Sequence, residues 1–199
     1  FIYYSIKIAK DLNIIKDVYV SSDSNKILKI SKSYGAKTIK RPKTISQDNS
    51  AEIKAWKHAA VYLEKKNIKA EYFVSLPCTS PLRLKKDITL ALKKIKRHKD
   101  FVIGVTESNR SPYFNMLDLK KNKSLKPVIY KKNYHRRQNL KKIYDMTTII
   151  YACHMSLIKN IKESIWETNI KFIKIPKKRS IDIDNLFDFR LAEYFYKSI

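Results

Sequence analysis

Short apolar runs alternating with amphipathic segments restrict the architecture of this chain more than any other property of its sequence. The runs 17–22, 71–76 and 101–106 are rich in Val, Ile, Tyr and Phe and have the length of buried strands. Between them apolar residues recur at helical spacing, most clearly over 51–66. This alternation predicts an α/β fold with a mainly parallel sheet, in which ligands bind beyond the carboxyl ends of the strands.

The remaining predicted elements follow the same alternation. We expect further helices over 3–12, 24–34, 86–98 and 185–197, and further strands over 37–40, 147–153 and 170–175. Asp23 or Ser24 offers a helix N-cap, and Gly35 a helix stop. Residues 107–142 are polar and aromatic with weak periodicity, which predicts strands or an excursion from the main body. The length of 199 residues predicts a single domain, 1–199.

Composition excludes several classes of protein. A hydrophobic fraction of 44% is sufficient for a core. No apolar run approaches the roughly 20 residues that cross a bilayer, and no signal peptide precedes the first helix. The two cysteines, Cys78 and Cys153, form no disulfide framework, so we expect a reducing, cytoplasmic setting without membrane contact.

The net charge of +25 raises the question of nucleic-acid binding, since 43 Lys and Arg face 18 Asp and Glu. However, the lysines are spread over predicted helix faces, and the densest cluster, 93–99, falls at one helix end. The pattern therefore favours a basic surface that attracts a small polyanion, such as a nucleotide, over a dedicated nucleic-acid site. A basic nucleic-acid binder is kept as an alternative from another class.

Two carboxylates stand two residues apart near the C-terminus, at Asp182 and Asp184. In an extended segment, residues i and i+2 point to the same face, so the two side chains are expected to converge. A hard divalent cation, which takes oxygen ligands, is an economical reason to hold two like charges together. The alternative is that Asp184 caps the following helix and Asp182 is an exposed loop acid.

Five segments then occur in one order along the chain: 20–23 (Val-Ser-Ser-Asp), 41–48 (Arg-Pro, ending in Asp), 79–83 (Thr-Ser-Pro-Leu-Arg), 136–138 (Arg-Arg-Gln) and 180–184 (Ser-Ile-Asp-Ile-Asp). Together they resemble the acylneuraminate cytidylyltransferase (CMP-sialic acid synthetase) family over essentially the whole chain. The resemblance implies a three-layer, Rossmann-like nucleotidyltransferase fold. It also implies transfer of CMP from CTP to a 2-keto sugar acid, with Mg²⁺ as the cofactor. A homodimer is implied as well, with the 107–142 excursion reaching the partner's site.

The resemblance also implies roles for individual residues. Asp182 and Asp184 match the catalytic metal-binding acids, and Arg41 and Ser50 match nucleotide-binding positions. The expected substrate-binding residues are Thr79, Ser80, Arg137 and Gln138. Some of these positions have a plainer explanation: Arg41 as a surface arginine, Arg83 as a structural helix-start residue, and Asp48 as the cap of the next helix.

The beginning of the chain departs most from the family. Family members open with a strand and a Gly-rich loop that cradles the triphosphate. Here the segment 1–6 resembles the helix after that loop, and the two glycines, Gly35 and Gly104, lie elsewhere. We therefore expect an N-terminally incomplete member that, as it stands, binds CTP poorly and turns over little.

Three departures concern the sugar side: Cys78 follows Pro77 where many members have Gln before the Pro-Thr-Ser-Pro run, Phe114 replaces an expected lysine, and 144–148 lacks a common Arg and Asn. Losing such partners changes which sugar substituents are satisfied. The predicted substrate is thus a nonulosonate or related keto acid whose identity is left open. The alternatives are a Kdo-type or other sugar nucleotidyltransferase, or a non-catalytic nucleotide-binding remnant.

Overall fold

The computed structural model describes residues 1–130 and 141–198. The regular elements, in chain order, are α1 (Ile2–Lys10), β1 (Tyr19–Ser22), α2 (Asn25–Ser33), β2 (Lys37–Lys40), α3 (Glu52–Lys65), β3 (Tyr72–Ser75), α4 (Lys85–Lys94), β4 (Asp100–Glu107), β5 (Leu117–Leu119), β6 (Leu125–Pro127), β7 (Tyr144–His154), α5 (Met155–Asn160), β8 (Asn169–Lys174) and α6 (Leu186–Tyr196). Short 3₁₀ turns occur at Lys43–Ile45, Ile165–Glu167 and Lys177–Arg179.

The main sheet has the order β3–β7–β4–β8. Strands β3, β4 and β8 run in one direction, and β7 lies antiparallel between β3 and β4. A separate parallel pair is formed by β1 and β2, and β5 and β6 form a small antiparallel hairpin within 107–142. The predicted α/β fold with a mainly parallel sheet is therefore confirmed, although periodicity did not reveal that β7 is reversed.

Helices cover both faces of the main sheet. On one face, Trp56 of α3 and Ile158 of α5 pack against Phe101 and Tyr151 of the sheet. On the other face, residues of α4 pack with strand residues of β4, β7 and β8, and α1 contributes partly buried side chains. Alternate residues of β4 serve the two clusters, because successive side chains of a strand point to opposite faces. The result is the expected three-layer arrangement.

Strands β1 and β3 each have one edge that pairs with no strand in the described part of the chain. Such an edge presents backbone donors and acceptors that can pair with a further strand.

Local signals fixed the ends of α2 as predicted. Ser24 is its N-cap, and its hydroxyl accepts from the Ile27 N–H at 3.4 Å. Gly35 follows with φ +78°, and the N–H groups of Gly35 and Ala36 donate to Lys32 and Ser31, a Schellman arrangement. The suggestion that Asp48 caps the next helix is wrong, since α3 begins after Ala51 without a side-chain cap.

Strand β7 contains a bulge where it pairs with β4. Ile103 pairs with Tyr151, but the next residue, Gly104, pairs with Thr147, so that residues 148–150 have no counterpart on β4. A Cβ on Gly104 would lie 2.6 Å from the Thr147 hydroxyl, which explains why the close approach here uses glycine. The bulged residues leave backbone carbonyls that need partners elsewhere.

Membrane-spanning helices are not found among the described residues, in which no helix is both long and apolar enough.

Asp100 fixes the connection from α4 into β4. It is fully buried, and its carboxylate accepts from the N–H groups of Lys96 and Arg97 at 2.9 and 3.0 Å and from the Asn169 amide. Burial alone would raise the pKa of Asp100, but these hydrogen bonds outweigh it and lower the pKa below its ordinary value. The ionised carboxylate is therefore a stabilising part of the fold.

We expect Asp100→Asn to lower the free energy of unfolding by about 1–3 kcal/mol at pH 7. The side-chain NH₂ group of asparagine would replace a carboxylate oxygen that accepts hydrogen bonds, and it cannot accept from the backbone N–H groups or the Asn169 amide. A lowered folded-state pKa gives stability above the unfolded pKa that is lost as the pH falls through the folded value. The difference between wild type and variant should therefore shrink in acid. Urea unfolding at pH 7 and pH 3 measures this, and a difference independent of pH would contradict the assignment.

Candidate active site

Two motifs that lie about a hundred residues apart in sequence are bonded to each other in the structure. The Ile183 N–H donates to the Thr79 carbonyl at 2.9 Å, and the Ser80 hydroxyl donates to the Ile181 carbonyl at 3.4 Å. These bonds hold the acidic segment 180–184 against the loop that follows β3. The sequence placed both motifs in one site, and the structure brings them into direct contact.

Ser80 lies beneath this contact rather than on its surface. The residue is fully buried, and its hydroxyl also bonds the Thr148 hydroxyl at 2.6 Å, at the bulge of β7. The bonds of the Ser80 hydroxyl help to hold the loop in place, and the predicted contact of Ser80 with substrate stays a prediction. Thr79 keeps a half-exposed position in the same loop.

Arg83 fills the space that the bulge of β7 creates. Its guanidinium is 4% exposed and donates to the carbonyls of Ile149, Thr148 and Pro77 and to the Ser5 hydroxyl. Burial lowers the pKa of Arg83 to about 10, and the charge of Asp87 partly opposes this shift. The structural interpretation of Arg83 is thus confirmed, since all of these contacts are internal.

A buried ion pair anchors the acidic segment from its other side. Both Arg179 Nη atoms contact the Asp87 carboxylate, with Nη2 to Oδ1 at 3.0 Å, and both residues are nearly inaccessible. Asp87 also accepts from the Leu84 N–H at 2.8 Å at the start of α4. Such a bidentate pair fixes orientation as well as distance. The segment from Arg179 to Asp184 is thereby tied to α4.

The two acids of the segment differ in environment. Asp182 is half-buried, and its Oδ1 atom is buried without a hydrogen-bond partner among the described residues, whereas Asp184 is exposed. The segment is an irregular connection between the 3₁₀ turn and α6 rather than a strand. Asp184 does not cap α6, because Asn185 does so by accepting from the Asp188 N–H at 3.0 Å. The capping alternative for Asp184 is therefore wrong.

Arg41 directly follows the last residue of β2 and lies beside the motif at 20–23. Its backbone N–H donates to the Ser22 carbonyl at 2.9 Å, while its Nε atom is buried without a partner within the described residues. Ser50 lies in the following loop, where its N–H donates to Gln47 and its hydroxyl accepts from the Gln47 N–H. The Ser50 side chain and N–H are thus used inside the loop.

Glu52 is a site residue that the sequence reasoning missed. It opens α3 at an exposed position, but its carboxylate turns back and accepts from Trp56 Nε1 at 3.2 Å. The pKa of Glu52 is raised, mainly because its carboxylate is buried, and the charge of Asp182 acts in the same direction. Hydrogen bonds from Trp56 and Ser75 and the charge of Arg41 oppose this rise. An acid in a first helical turn is ordinarily explained by the helix dipole, so no sequence signal marked it.

Burial also raises the pKa of the nearby Tyr151 hydroxyl to about 12, with the charges of Glu52 and Asp182 acting in the same direction. The charges of Arg41 and Asp182 therefore reach Glu52, and those of Glu52 and Asp182 reach Tyr151. These residues come from α3, β7 and the segments after β2 and the last 3₁₀ turn. They form a polar cluster with two carboxylates and one arginine.

The family model for cytidylyltransferases matches residues 1–199. The chain belongs to the cytidylyltransferase family. It is therefore a nucleotidyltransferase, as the resemblance implied.

Relatives of this cytidylyltransferase are similar along nearly its whole length. "Post-translational flagellin modification protein B" of Campylobacter coli is 29% identical, covering 98% of this chain and 83% of the relative. The CMP-N,N'-diacetyllegionaminic acid synthase of Campylobacter jejuni is 28% identical, with coverages of 97% and 82%. A crystal structure of 4-diphosphocytidyl-2C-methyl-D-erythritol synthase superposes with a TM-score of 0.68 at 10% identity, covering 98% and 88% of the two chains. The structural likeness shows the shared fold.

Other parts of the predicted site lie outside this cluster. Arg136, Arg137 and Gln138 fall outside the described residues, so their predicted roles stay predictions.

A cleft of about 480 Å³ opens at the carboxyl ends of β4 and β8, where Glu107, Lys174 and Lys177 contribute to its lining. In the described ranges no group of three or more His, Cys, Asp or Glu residues is arranged to hold a metal ion.

We expect Arg83→Lys to lower the free energy of unfolding by about 2–4 kcal/mol, because an ammonium group cannot serve the acceptors that the guanidinium fork reaches. The matched control is Arg110→Lys, at an exposed position, which should change stability by no more than about 0.5 kcal/mol. Urea unfolding of both variants measures the difference. Equal effects of the two substitutions would show that Arg83 does not support the bulge.

Proposed function

We propose that this cytidylyltransferase transfers CMP from CTP to a nonulosonate, a 2-keto sugar acid of the sialic-acid type, with release of pyrophosphate. The observation that carries the proposal is the bonding of the acidic segment 180–184 to the Thr79–Ser80 loop. The 28% identical legionaminic acid synthase and the family resemblance of the same motifs support the sugar class. The fold neighbour supports only the architecture.

In this reaction the anomeric hydroxyl of the sugar acid attacks the α-phosphorus of CTP in line. A bond forms between the anomeric oxygen and the α-phosphorus, the bond from that phosphorus to the α,β-bridging oxygen breaks so that pyrophosphate leaves, and the hydroxyl proton passes to solvent. Mg²⁺ would offset the negative charge of the phosphates and of the departing pyrophosphate. The residues proposed to hold it are Asp182 and Asp184.

The acidic pair fits a magnesium ion that also binds substrate. Asp182 offers a carboxylate oxygen that no described group satisfies, and Asp184 offers a second carboxylate at the surface. Mg²⁺ usually takes one or two carboxylates and completes its octahedral shell with phosphate and water oxygens. Two carboxylates, with phosphate and water oxygens in the remaining positions, are consistent with that requirement.

We assign Arg41 to the nucleotide, because its unpartnered guanidinium nitrogen suits a base or phosphate acceptor. Ser50 is assigned to the same subsite through the backbone carbonyl of its loop. Thr79, at the half-exposed loop surface, is assigned to the sugar acid together with Arg137 and Gln138. Arg137 would pair with the sugar carboxylate.

Turnover by the 199-residue chain alone is proposed to be low. Binding of a triphosphate usually relies on backbone N–H groups in a Gly-rich loop, and the two glycines of this sequence lie at the end of α2 and within β4. The edges of β1 and β3 that pair with no strand among the described residues would allow a further strand to add to either sheet. We propose that a segment of this kind is needed for full activity.

Assembly and location complete the proposal. The β5–β6 hairpin exposes Leu117, Leu119 and Leu125, which supports a homodimer contact through this excursion. Neither cysteine is paired, which agrees with a reducing, cytoplasmic setting.

Pyrophosphate release tests the function. We expect product from CTP with N,N'-diacetyllegionaminate, pseudaminate or a related nonulosonate, and less with N-acetylneuraminate or Kdo. The assay should compare the 199-residue chain with a version that includes any residues its reading frame encodes before Phe1. Clear preference for N-acetylneuraminate or Kdo would overturn the sugar assignment, and rapid turnover by the short chain would overturn the proposed impairment.

We expect Asp182→Asn to lower kcat/KM by at least about 100-fold and to raise the Mg²⁺ concentration needed for half-maximal rate, because a ligand to the phosphate-bound ion is weakened. Asp11→Asn is the matched control, since Asp11 is an exposed acid whose side chain faces Lys7 and Lys85. Initial rates across a Mg²⁺ series in the more active version of the protein measure both. Full activity of the Asp182 variant would remove the proposed metal site.

A further inference from the structure

Four tyrosine rings form a continuous row across three helical segments, and the proposed transfer gives them no task. Tyr3 of α1 contacts Tyr34, at the end of α2, with ring centroids 5.0 Å apart. Its neighbour Tyr4 contacts Tyr196 of α6 at 5.4 Å, and the rings of Tyr3 and Tyr4 are 5.6 Å apart. Each of the four residues is 37–53% exposed in the described structure, so the row lies at the surface.

The helix that carries the end of this row also exposes apolar side chains on its outer face. In α6, Phe187, Leu191 and Tyr194 follow one another at a spacing of four and three residues, which places them on one stripe of the helix. Phe187 and Tyr194 are 74% and 68% exposed, whereas Ala192 is buried on the inner side. An outer helix face in water is ordinarily polar. The tyrosine row and this stripe are together called the aromatic surface.

Basic side chains accompany the aromatic surface. The Nζ atom of Lys10 lies over Gly35, directly after the tyrosine at the end of α2. Lys197 directly follows the last tyrosine of the row, and the exposed Arg190 stands about one helical turn from each of the two most exposed rings of α6. Glu193 opposes them with one negative charge, but the chain as a whole carries +25. The surface is therefore both apolar and attractive to anions.

These features favour a broad anionic ligand over a small molecule or a folded partner. The two clefts found in the described residues lie on other elements and include no residue of the aromatic surface, so it lacks a pocket for a ligand or for a partner's buried anchor. Two ring pairs of the row meet edge to face, at 66° and 68°, which uses ring faces that nucleic-acid bases would need for stacking. Tyrosine, phenylalanine and lysine are the residue types that settle at the boundary between lipid and water.

We propose that the aromatic surface binds the headgroup region of an anionic lipid bilayer, with its rings at the boundary of the acyl chains and its basic side chains at the lipid phosphates. Lysine and arginine can keep their charged ends in the headgroups while their stems cover apolar surface. Composition led us to expect no membrane contact because no apolar run spans a bilayer, but an interfacial contact needs no such run. This inference goes beyond the proposed transfer and does not depend on it.

Sedimentation with lipid vesicles tests the proposal. The protein should partition into mixed phosphatidylglycerol–phosphatidylcholine vesicles at least about tenfold more strongly than into pure phosphatidylcholine vesicles, and the difference should fall as salt screens the charges. Replacing both Phe187 and Tyr194 by serine should weaken binding to the mixed vesicles by about tenfold or more. The matched control replaces Tyr72 and Phe172, an exposed tyrosine and phenylalanine on β3 and β8, and should bind as wild type.

Charge reversal separates a defined surface from general attraction by a basic protein. Arg190→Glu with Lys197→Glu should weaken binding to the mixed vesicles by about tenfold or more. Lys66→Glu with Lys69→Glu changes the net charge by the same amount at exposed positions after α3, and should weaken binding far less. All four residues are exposed, so this pair of variants also carries the test if the aromatic variant fails to fold.

Thermal unfolding of each variant shows whether a loss of binding reflects a loss of folding. Absence of wild-type binding to the mixed vesicles, or equal effects of the two charge reversals, overturns the proposal. Sedimentation velocity without lipid addresses a second copy of the chain as the occupant. If the serine variant has a lower mass in solution than wild type, the aromatic surface is an interface between copies, and the lipid proposal fails.

Discussion

The buried guanidinium of Arg83 is the interaction on which the site depends. The bulge in β7 leaves carbonyls at Thr148 and Ile149 without strand partners, and Arg83 satisfies both from inside the protein. Removing water from an arginine is costly unless its donors are used, so the guanidinium and the bulge require each other. Because Arg83 also donates to Pro77, the loop after β3 has one position relative to the sheet.

The acidic segment inherits its position from that loop. Thr79 and Ser80 bond the backbone at Ile183 and Ile181, and the Arg179–Asp87 pair fixes the segment where it leaves the last 3₁₀ turn. None of these contacts uses the carboxylate of Asp182 or Asp184. The hydrogen bonds named above therefore hold the backbone of the segment and do not involve the two carboxylates. A charged site is preorganised when its position is fixed by groups other than those that bind the ligand.

Sequence reasoning was reliable where short-range chemistry decides the structure and unreliable where distant segments meet. Apolar runs predicted β2 and β4 to within a residue at each end, and Ser24 and Gly35 marked the ends of α2, because each signal acts within a few residues. The reversed direction and the bulge of β7 depend on pairing with β4, which no local pattern encodes. For the same reason the burial of Ser80 and the contact of Glu52 with Trp56 were not predicted.

The motif at 79–83 shows why resemblance locates a site more readily than it assigns roles within it. Of its two most polar members, Arg83 supports the bulge and Ser80 bridges the bulge to the acidic segment, so both act through the backbone they hold. A residue pattern shared with a family can persist because a loop must keep its shape, whether or not each side chain touches substrate. Arg41 and Asp182, outside that motif, are charged residues that each have a buried polar atom without a partner among the described residues. Buried polar atoms without a partner among the described residues also occur at Tyr19, Ser21, His58 and Thr147, so this property alone does not separate ligand-binding groups from scaffold.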